Sequence, residues 1–110
     1  MALLATYGLK HAGMIVAEPY LEDDNIDPMC GHIAMVFVDP AYWGSGIGGS
    51  LIRALQAPPE GQAWTRLSVW TRNDNRRALR LYDSCGFIDT GEQSSLHEGD
   101  RISRLEWRSS

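Results

Sequence analysis

Cysteine is scarce in this chain of 110 residues, with only Cys30 and Cys85 present. Two cysteines give neither a disulfide framework nor the ligand spacing of a zinc site, so no metal is expected. A single bridge between them stays open beside the alternative of free thiols in a reducing cytosol, and the cytoplasmic reading is the expectation carried forward. Positive charge is also short. Ten Lys and Arg stand against fourteen Asp and Glu, for a net charge of −4, which argues against nucleic acid as a main partner. No apolar run approaches the ~18 residues of a membrane-spanning helix. The apolar start Met1-Ala-Leu-Leu-Ala-Thr lacks a basic segment ahead of it, so no signal peptide and no membrane partner are expected. Internal repeats and low-complexity tracts are missing too. What remains, at 44% hydrophobic and 22% charged, has the composition of an ordinary globular protein, and its length predicts a single domain over 1–110.

Glycine, by contrast, is concentrated. The stretch His32–Arg53 reads HIAMVFVDPAYWGSGIGGSLIR, with Gly44, Gly46, Gly48 and Gly49 falling within six residues. An apolar run over Ile33–Val38 suits a central strand buried on both faces. Asp39-Pro40 and the glycines read as a turn. Ile47, Leu51, Ile52 and Leu55 then follow at helical spacing over 46–56, with Pro58-Pro59 stopping the helix. Such a turn bares backbone N–H groups at the positive end of a helix dipole, which suits a phosphate.

Around this segment, Ala2–Thr6 and Met14–Tyr20 read as a hairpin broken by Gly8 and Gly13. Leu21–Gly31, with Glu22, Asp23, Asp24, Asp27 and Pro28, reads as a solvated loop or as a surface that attracts a cationic substrate. Arg66–Thr71 alternates as a strand. Asn73-Asp74 is expected to cap a helix over about 75–84. Ala78, Leu81, Tyr82 and Cys85 share one face of that helix, and Arg76, Arg77, Arg80 and Asp83 the other. Gly86 suits its C-terminus. Phe87–Gly91 and Ile102–Trp107 read as two further strands joined around Glu98-Gly99-Asp100. The order β-β-β-α-β-α-β-β predicts a mixed α/β domain with a βαβ unit at 32–71 and an otherwise antiparallel sheet.

Two common phosphate loops fail on their own criteria. Gly44–Gly49 matches GxGxxG, yet a dinucleotide site also needs an acid near the end of the next strand, and that strand ends LSVWTR. A Walker A loop needs Lys-Ser/Thr after its last glycine, whereas Ser50-Leu51 follow here. A glycine turn without any ligand would cost backbone entropy with no packing return.

Trp43-Gly44-Ser45-Gly46-Ile47-Gly48, after Val38-Asp39-Pro40, resembles the Arg/Gln-x-x-Gly-x-Gly/Ala segment of the Gcn5-related N-acetyltransferase (GNAT) family. Asn75-Arg-Arg-Ala78-Leu-Arg-Leu81-Tyr82-Asp-Ser-Cys-Gly86-Phe87 independently resembles that family's N-x-x-A-x-x-L-Y-x-x-x-G-F segment. The resemblance covers about residues 5–90. It departs in two places. Trp43 stands where the family has Arg or Gln. The strand and two helices that usually precede the hairpin have no counterpart ahead of Ala2.

The resemblance implies a GNAT-like domain that transfers an acetyl group from acetyl-CoA to an amine of a small molecule or peptide. The pyrophosphate would lie on the amides of Gly44, Ser45, Gly46, Ile47, Gly48 and Gly49, with Trp43 at the first position of this cofactor-binding turn. The pantetheine arm would add beside Val36, Phe37 and Val38, where a backbone N–H would hold the developing oxyanion. Tyr82 corresponds to the family's general acid, against the alternative of a core tyrosine. Asn75 either caps its helix or holds the pantetheine. His32 stands where family members place a base, and its ordinary value near 6.5 suits that task; the alternative is a hydrogen-bonded strand-end histidine. Glu18 and Tyr20 are secondary candidates, and His11 and His97, in expected turns, receive no role. Two other functions stay open: a non-catalytic acyl-CoA-binding module on the same scaffold, and a nucleotide-binding module. A bare strand edge at 2–6 and an uncovered sheet face lead to the expectation of a homodimer.

Overall fold

The computed structural model describes residues 2–7, 10–22, 25–57, 64–96 and 99–109. Its strands are β1 (Ala2–Tyr7), β2 (Lys10–Glu22), β3 (Asn25–Val38), β4 (Arg66–Arg72), β5 (Ile88–Ser95) and β6 (Arg101–Arg108). Helix α1 (Ile47–Gln56) joins β3 to β4, and α2 (Arg76–Ser84) follows β4. The six strands form one sheet in the order β1-β2-β3-β4-β6-β5. All neighbours are antiparallel except β3 and β4, which are parallel because the connection through α1 returns the chain to the same end. The expected mixed, mostly antiparallel α/β architecture with two helices is therefore the observed one.

Both helices lie on one face of this sheet. α1 turns Leu51, Ile52 and Leu55 inward, and α2 contributes Tyr82. They bury against Ile15 and Ala17 of β2, Ile33 of β3, Leu67 and Val69 of β4, and Leu105 of β6. Burial of each large side chain contributes roughly 1.5–3 kcal/mol, which holds helices too short to persist alone. Gly31, on this same face, lets the Trp64 ring close over the strand. A Cβ at Gly31 would lie 2.4 Å from a ring carbon of Trp64.

The opposite face is polar around β4 and β6, while on β3 Met35 and Phe37 are exposed, so that strand is not buried on both faces as expected. Glu106 of β6 is buried, yet its carboxylate accepts from Arg104 at 3.1 Å and Arg108 at 2.7 Å, with Arg66 at 3.6 Å. Arg104 also donates to Ser68 and to Glu92. Buried charge is tolerated here because each group is paired and hydrogen-bonded. Burial works to raise the Glu106 carboxyl, but the hydrogen bonds from Arg108 and Arg104 outweigh it and hold the group below its ordinary value.

Several boundaries differ from expectation. Leu21–Glu22 and Asn25–Gly31 are strand rather than loop, extending β2 and β3 into one long hairpin. Antiparallel pairing satisfies their backbone whatever the side chains, so the acidic composition concealed it. Gly13 lies inside β2, where a Cβ would meet the Phe37 carbonyl at 2.6 Å, and it serves close strand approach rather than a turn. His11 is likewise in β2. The cap of α2 is Asn75 itself: its side chain accepts from the Ala78 N–H at 3.1 Å, while Asn73 bonds Ser103 and Asp74 pairs with Arg72. Gly8, Asp23, Asp24, Pro58-Pro59, His97 and Glu98 lie outside the described residues.

Gly31→Ala is expected to destabilise the fold by about 1–3 kcal/mol through overpacking against Trp64. Urea denaturation checks this, and an unchanged midpoint would show that the ring can move aside.

Candidate functional site

The parallel pair β3–β4 separates early. Its register runs from Cys30 opposite Arg66 to Ile33 opposite Val69 and stops there, although β3 continues to Val38 and β4 to Arg72. The result is a notch between two diverging strands. A register fault lies at its apex: Met35 pairs with Val16 and Ile33 with Ala17, leaving Ala34 as an extra residue. Beyond it, Asp39 N–H donates to the Ala12 carbonyl on β2 at 2.8 Å. Because carbonyl and amide of one peptide point opposite ways across a strand, the carbonyls of Val38 and Val36 face the notch. The carbonyl of Phe37 faces β2. Only alternate residues of Val36–Val38 therefore offer main-chain groups to the notch.

The glycine turn closes one end. Asp39 caps a short 3-10 turn over Pro40–Tyr42, accepting from Ala41 N–H at 2.9 Å. Trp43 folds back, and its indole N–H donates to the Val38 carbonyl at 3.0 Å. Gly44 and Gly46 adopt φ of +84° and +83°, a region that costs other residues roughly 1–2 kcal/mol. Gly46 is the N-cap of α1 and brings no side chain to it. The first intrahelical bond runs from Ser50 N–H to the Gly46 carbonyl. The N–H groups of Ile47, Gly48 and Gly49 thus stand uncapped at the positive end of α1. Ser45 differs, because both its amide and its hydroxyl donate to the Tyr42 carbonyl.

Helix α2 forms the facing wall. Gly48 permits this approach, since a Cβ there would sit 3.1 Å from Leu81. A cavity of about 470 Å³ lies between, lined by Val36–Val38, the turn, the first residues of α1, and Asn75, Arg77, Ala78, Leu81 and Tyr82 of the α2 segment. Tyr82 is buried against Phe87, with ring centroids 5.4 Å apart. Burial, with a smaller contribution from Cys85, pushes its hydroxyl up to about 12, so it keeps its proton at neutral pH.

His32 sits on the other face. It alternates with the core residue Ile33 and pairs in register with Glu18 and Ser68. Its ring lies 5.4 Å from the Tyr20 ring, and its Nδ1 is buried without a hydrogen-bond partner. Burial lowers its pKa, Glu18 opposes this, and Arg104 adds to the lowering. His32 does not line the cavity, but it stands two residues before the apex of the notch.

The acetyltransferase (GNAT) family profile matches residues 2–87. The chain belongs to the GNAT acetyltransferase family. Human N-alpha-acetyltransferase 30 is 39% identical over 59 residues, a match covering 53% of this chain and 16% of that protein. The chain therefore spans a small fraction of this relative's length. The ribosomal-protein-S18-alanine N-acetyltransferase of Escherichia coli shares the fold with a TM-score of 0.80 and 20% identity, covering 100% of this chain and 69% of that one. A GNAT acetyltransferase from Elizabethkingia anophelis with acetyl-CoA bound has a TM-score of 0.76 and 21% identity, covering 98% and 75%.

Among the expected site residues of this GNAT chain, Val36, Phe37, Val38, Trp43, Gly44, Gly46, Ile47, Gly48, Gly49, Asn75 and Tyr82 all line one cavity. Ser45 and His32 do not. Asn75 caps α2 and borders the cavity at once. Arg77 is the lining residue that helical periodicity assigned to the solvated face; the signal for it was its place two residues after Asn75, at the end of α2 nearest the glycine turn.

The depressed pKa of His32 gives a definite sign to pH dependence. Between its folded value and 6.5 the unfolded chain binds the proton more readily, so stability falls on acidification through that window and recovers above it. His32→Gln should flatten this part of the melting-temperature profile on the acid side of about pH 6.5.

Proposed function

We propose that this chain transfers the acetyl group of acetyl-CoA to a primary amine of a peptide or small molecule by direct attack. The observation that carries this reading is the uncapped start of α1, which opens into the same cavity as the notch edge and the Tyr82 ring. Three N–H donors at a helix N-terminus suit the donor's pyrophosphate. The notch-facing main chain of Val36 and Val38 suits the amides of a pantetheine arm added like a strand, with the Val38 carbonyl already accepting from Trp43. The bulge at Ala34 frees a strand position where a backbone N–H can meet the thioester oxygen.

In this reaction the amine nitrogen attacks the thioester carbon and the C–S bond breaks. Tyr82 gives its proton to the leaving thiolate, a role consistent with a hydroxyl that stays protonated at neutral pH. The nitrogen's surplus proton goes to His32, directly or through water. Burial favours the neutral imidazole, the form able to accept it. An amine reaching the apex from the polar face would meet His32 and Tyr20 there. A peptide amine is favoured by the stretch of similarity to an N-alpha-acetyltransferase.

A cytoplasmic location is proposed with this reading, in keeping with a chain that has only two cysteines. β1 is an edge strand of the sheet, and a second copy is proposed to pair with it as a homodimer. Light scattering at micromolar concentration tests the dimer, and a monodisperse monomer would refute it.

Thiol release from acetyl-CoA over a panel of peptide and small-molecule amines tests the transferase reading. Tyr82→Phe is expected to lower turnover by about 10²–10⁴-fold while acetyl-CoA affinity persists. Tight acetyl-CoA binding with no turnover on any amine would favour a non-catalytic binding module, a reading supported by the absence of His32 from the cavity.

A further inference from the structure

Among the described residues, the cavity has a single charged side chain. Of the residues that line it, Arg77 alone carries a charge. Its guanidinium carbon lies over the Trp43 ring, 3.7 Å from the centroid, a cation–π contact. Trp43 is fixed in turn by its indole N–H on the Val38 carbonyl. Arg72 has Asp74 and Asp100 as partners, and Arg104 and Arg108 have Glu106. Arg77 makes no ion pair among the described residues, and its one recorded contact is the aromatic ring. A cation–π contact uses the face of a guanidinium and leaves its N–H donors available to an anion. Arg77 and Trp43 line the same cavity as Ile47, Gly48 and Gly49, whose amides are uncapped.

From this arrangement we propose that Arg77, held on the Trp43 ring, is a ligand of the acetyl donor's pyrophosphate. The tryptophan at the first position of the turn is then no loss of a polar contact. It is a platform that imports a cation from α2, where other members carry a polar side chain in the turn itself. The pyrophosphate is favoured over the 3′-phosphate because Arg77 borders the same cavity as the helix N-terminus. The proposal rests on the acetyl-CoA reading given above, and it concerns binding of the donor rather than the chemical step.

Calorimetric titration of the full chain with three donors separates the outcomes: acetyl-CoA, 3′-dephospho-acetyl-CoA, and S-acetyl-pantetheine, which has no pyrophosphate. Arg77→Ala should weaken both nucleotide donors by about tenfold or more and leave S-acetyl-pantetheine unchanged. Trp43→Ala should cost a similar factor, and the double variant little beyond either single one, since each removes the same contact. Arg80→Ala, on α2 but outside the cavity, should leave all three affinities as they were. Equal loss on all three donors, loss confined to the donor bearing the 3′-phosphate, an equal effect of Arg80→Ala, or no loss at all would each overturn the proposal. A wild-type chain without affinity for acetyl-CoA would overturn the acetyl-CoA reading and this proposal together. A wild type that binds acetyl-CoA while Arg77→Ala binds it equally well would overturn the proposal alone.

Discussion

The divergence of β3 from β4 is the constraint on which the rest of this molecule depends. Four register pairs hold the two strands parallel, and then the pairing ends while both chains run on. A parallel pair deep in a sheet ordinarily hides its main chain along its whole length. Here the main chain of Val36 and Val38 faces a notch instead of β4, and the Val38 carbonyl accepts from the Trp43 indole. The wall opposite cannot be β4, so α2 and the glycine turn enclose the space instead, and Gly48 sets how closely the two helices approach. The cavity, its polar main-chain edge and the buried tyrosine are all consequences of where the pairing stops.

The two faces of the sheet solve burial by different means. The helical face is closed by Leu51, Ile52, Leu55, Leu67 and Val69, with apolar surface removed from water as the driving term. The other face keeps Glu106 and Ser68 buried through a lattice of arginine contacts centred on Arg104. Such a lattice is worth less as net stability than its Coulomb energy suggests, because desolvation offsets much of it. Its effect on placement is clearer. Arg104 contributes to the depressed pKa of His32 and reaches toward the Tyr20 ring at 5.6 Å. The charged lattice and the candidate base therefore belong to one surface, on the side of the sheet opposite the helices.

Much of this was legible in the amino-acid order. The unit from Ile33 through the glycines to Leu55 announces itself because strand, positive-φ turn and amphipathic helix each leave a distinct local pattern. Tyr82 and Leu81 followed from helical spacing. The acidic stretch 21–31 misled, since a long hairpin is held by main-chain pairing and needs no apolar alternation at its far end. Helical periodicity sorted Arg77 with Arg76 and Arg80 as solvated, because it reports which side chains turn away from the core and not what stands beside them. The partner of Arg77 is distant in sequence by the whole of α1 and β4, and only the fold brings Trp43 to it. The same holds for His32, whose rank in the strand was visible but whose exclusion from the cavity depends on the alternation of faces around Ile33.

The bare first turn of α1 also makes the folded state thermodynamically unfinished. α2 has its own side-chain cap in Asn75, whereas Gly46 gives α1 none, so the N–H groups of its first turn are open to solvent or to an anion. A ligand that binds only the folded form adds about 2.7 kcal/mol at a hundredfold excess over its dissociation constant. Against the modest total stability of a small domain, that is a large share. On the proposed reading, the lifetime of this chain in a cell would follow the total pool of its donor, acetylated or spent, because both forms carry the same pyrophosphate.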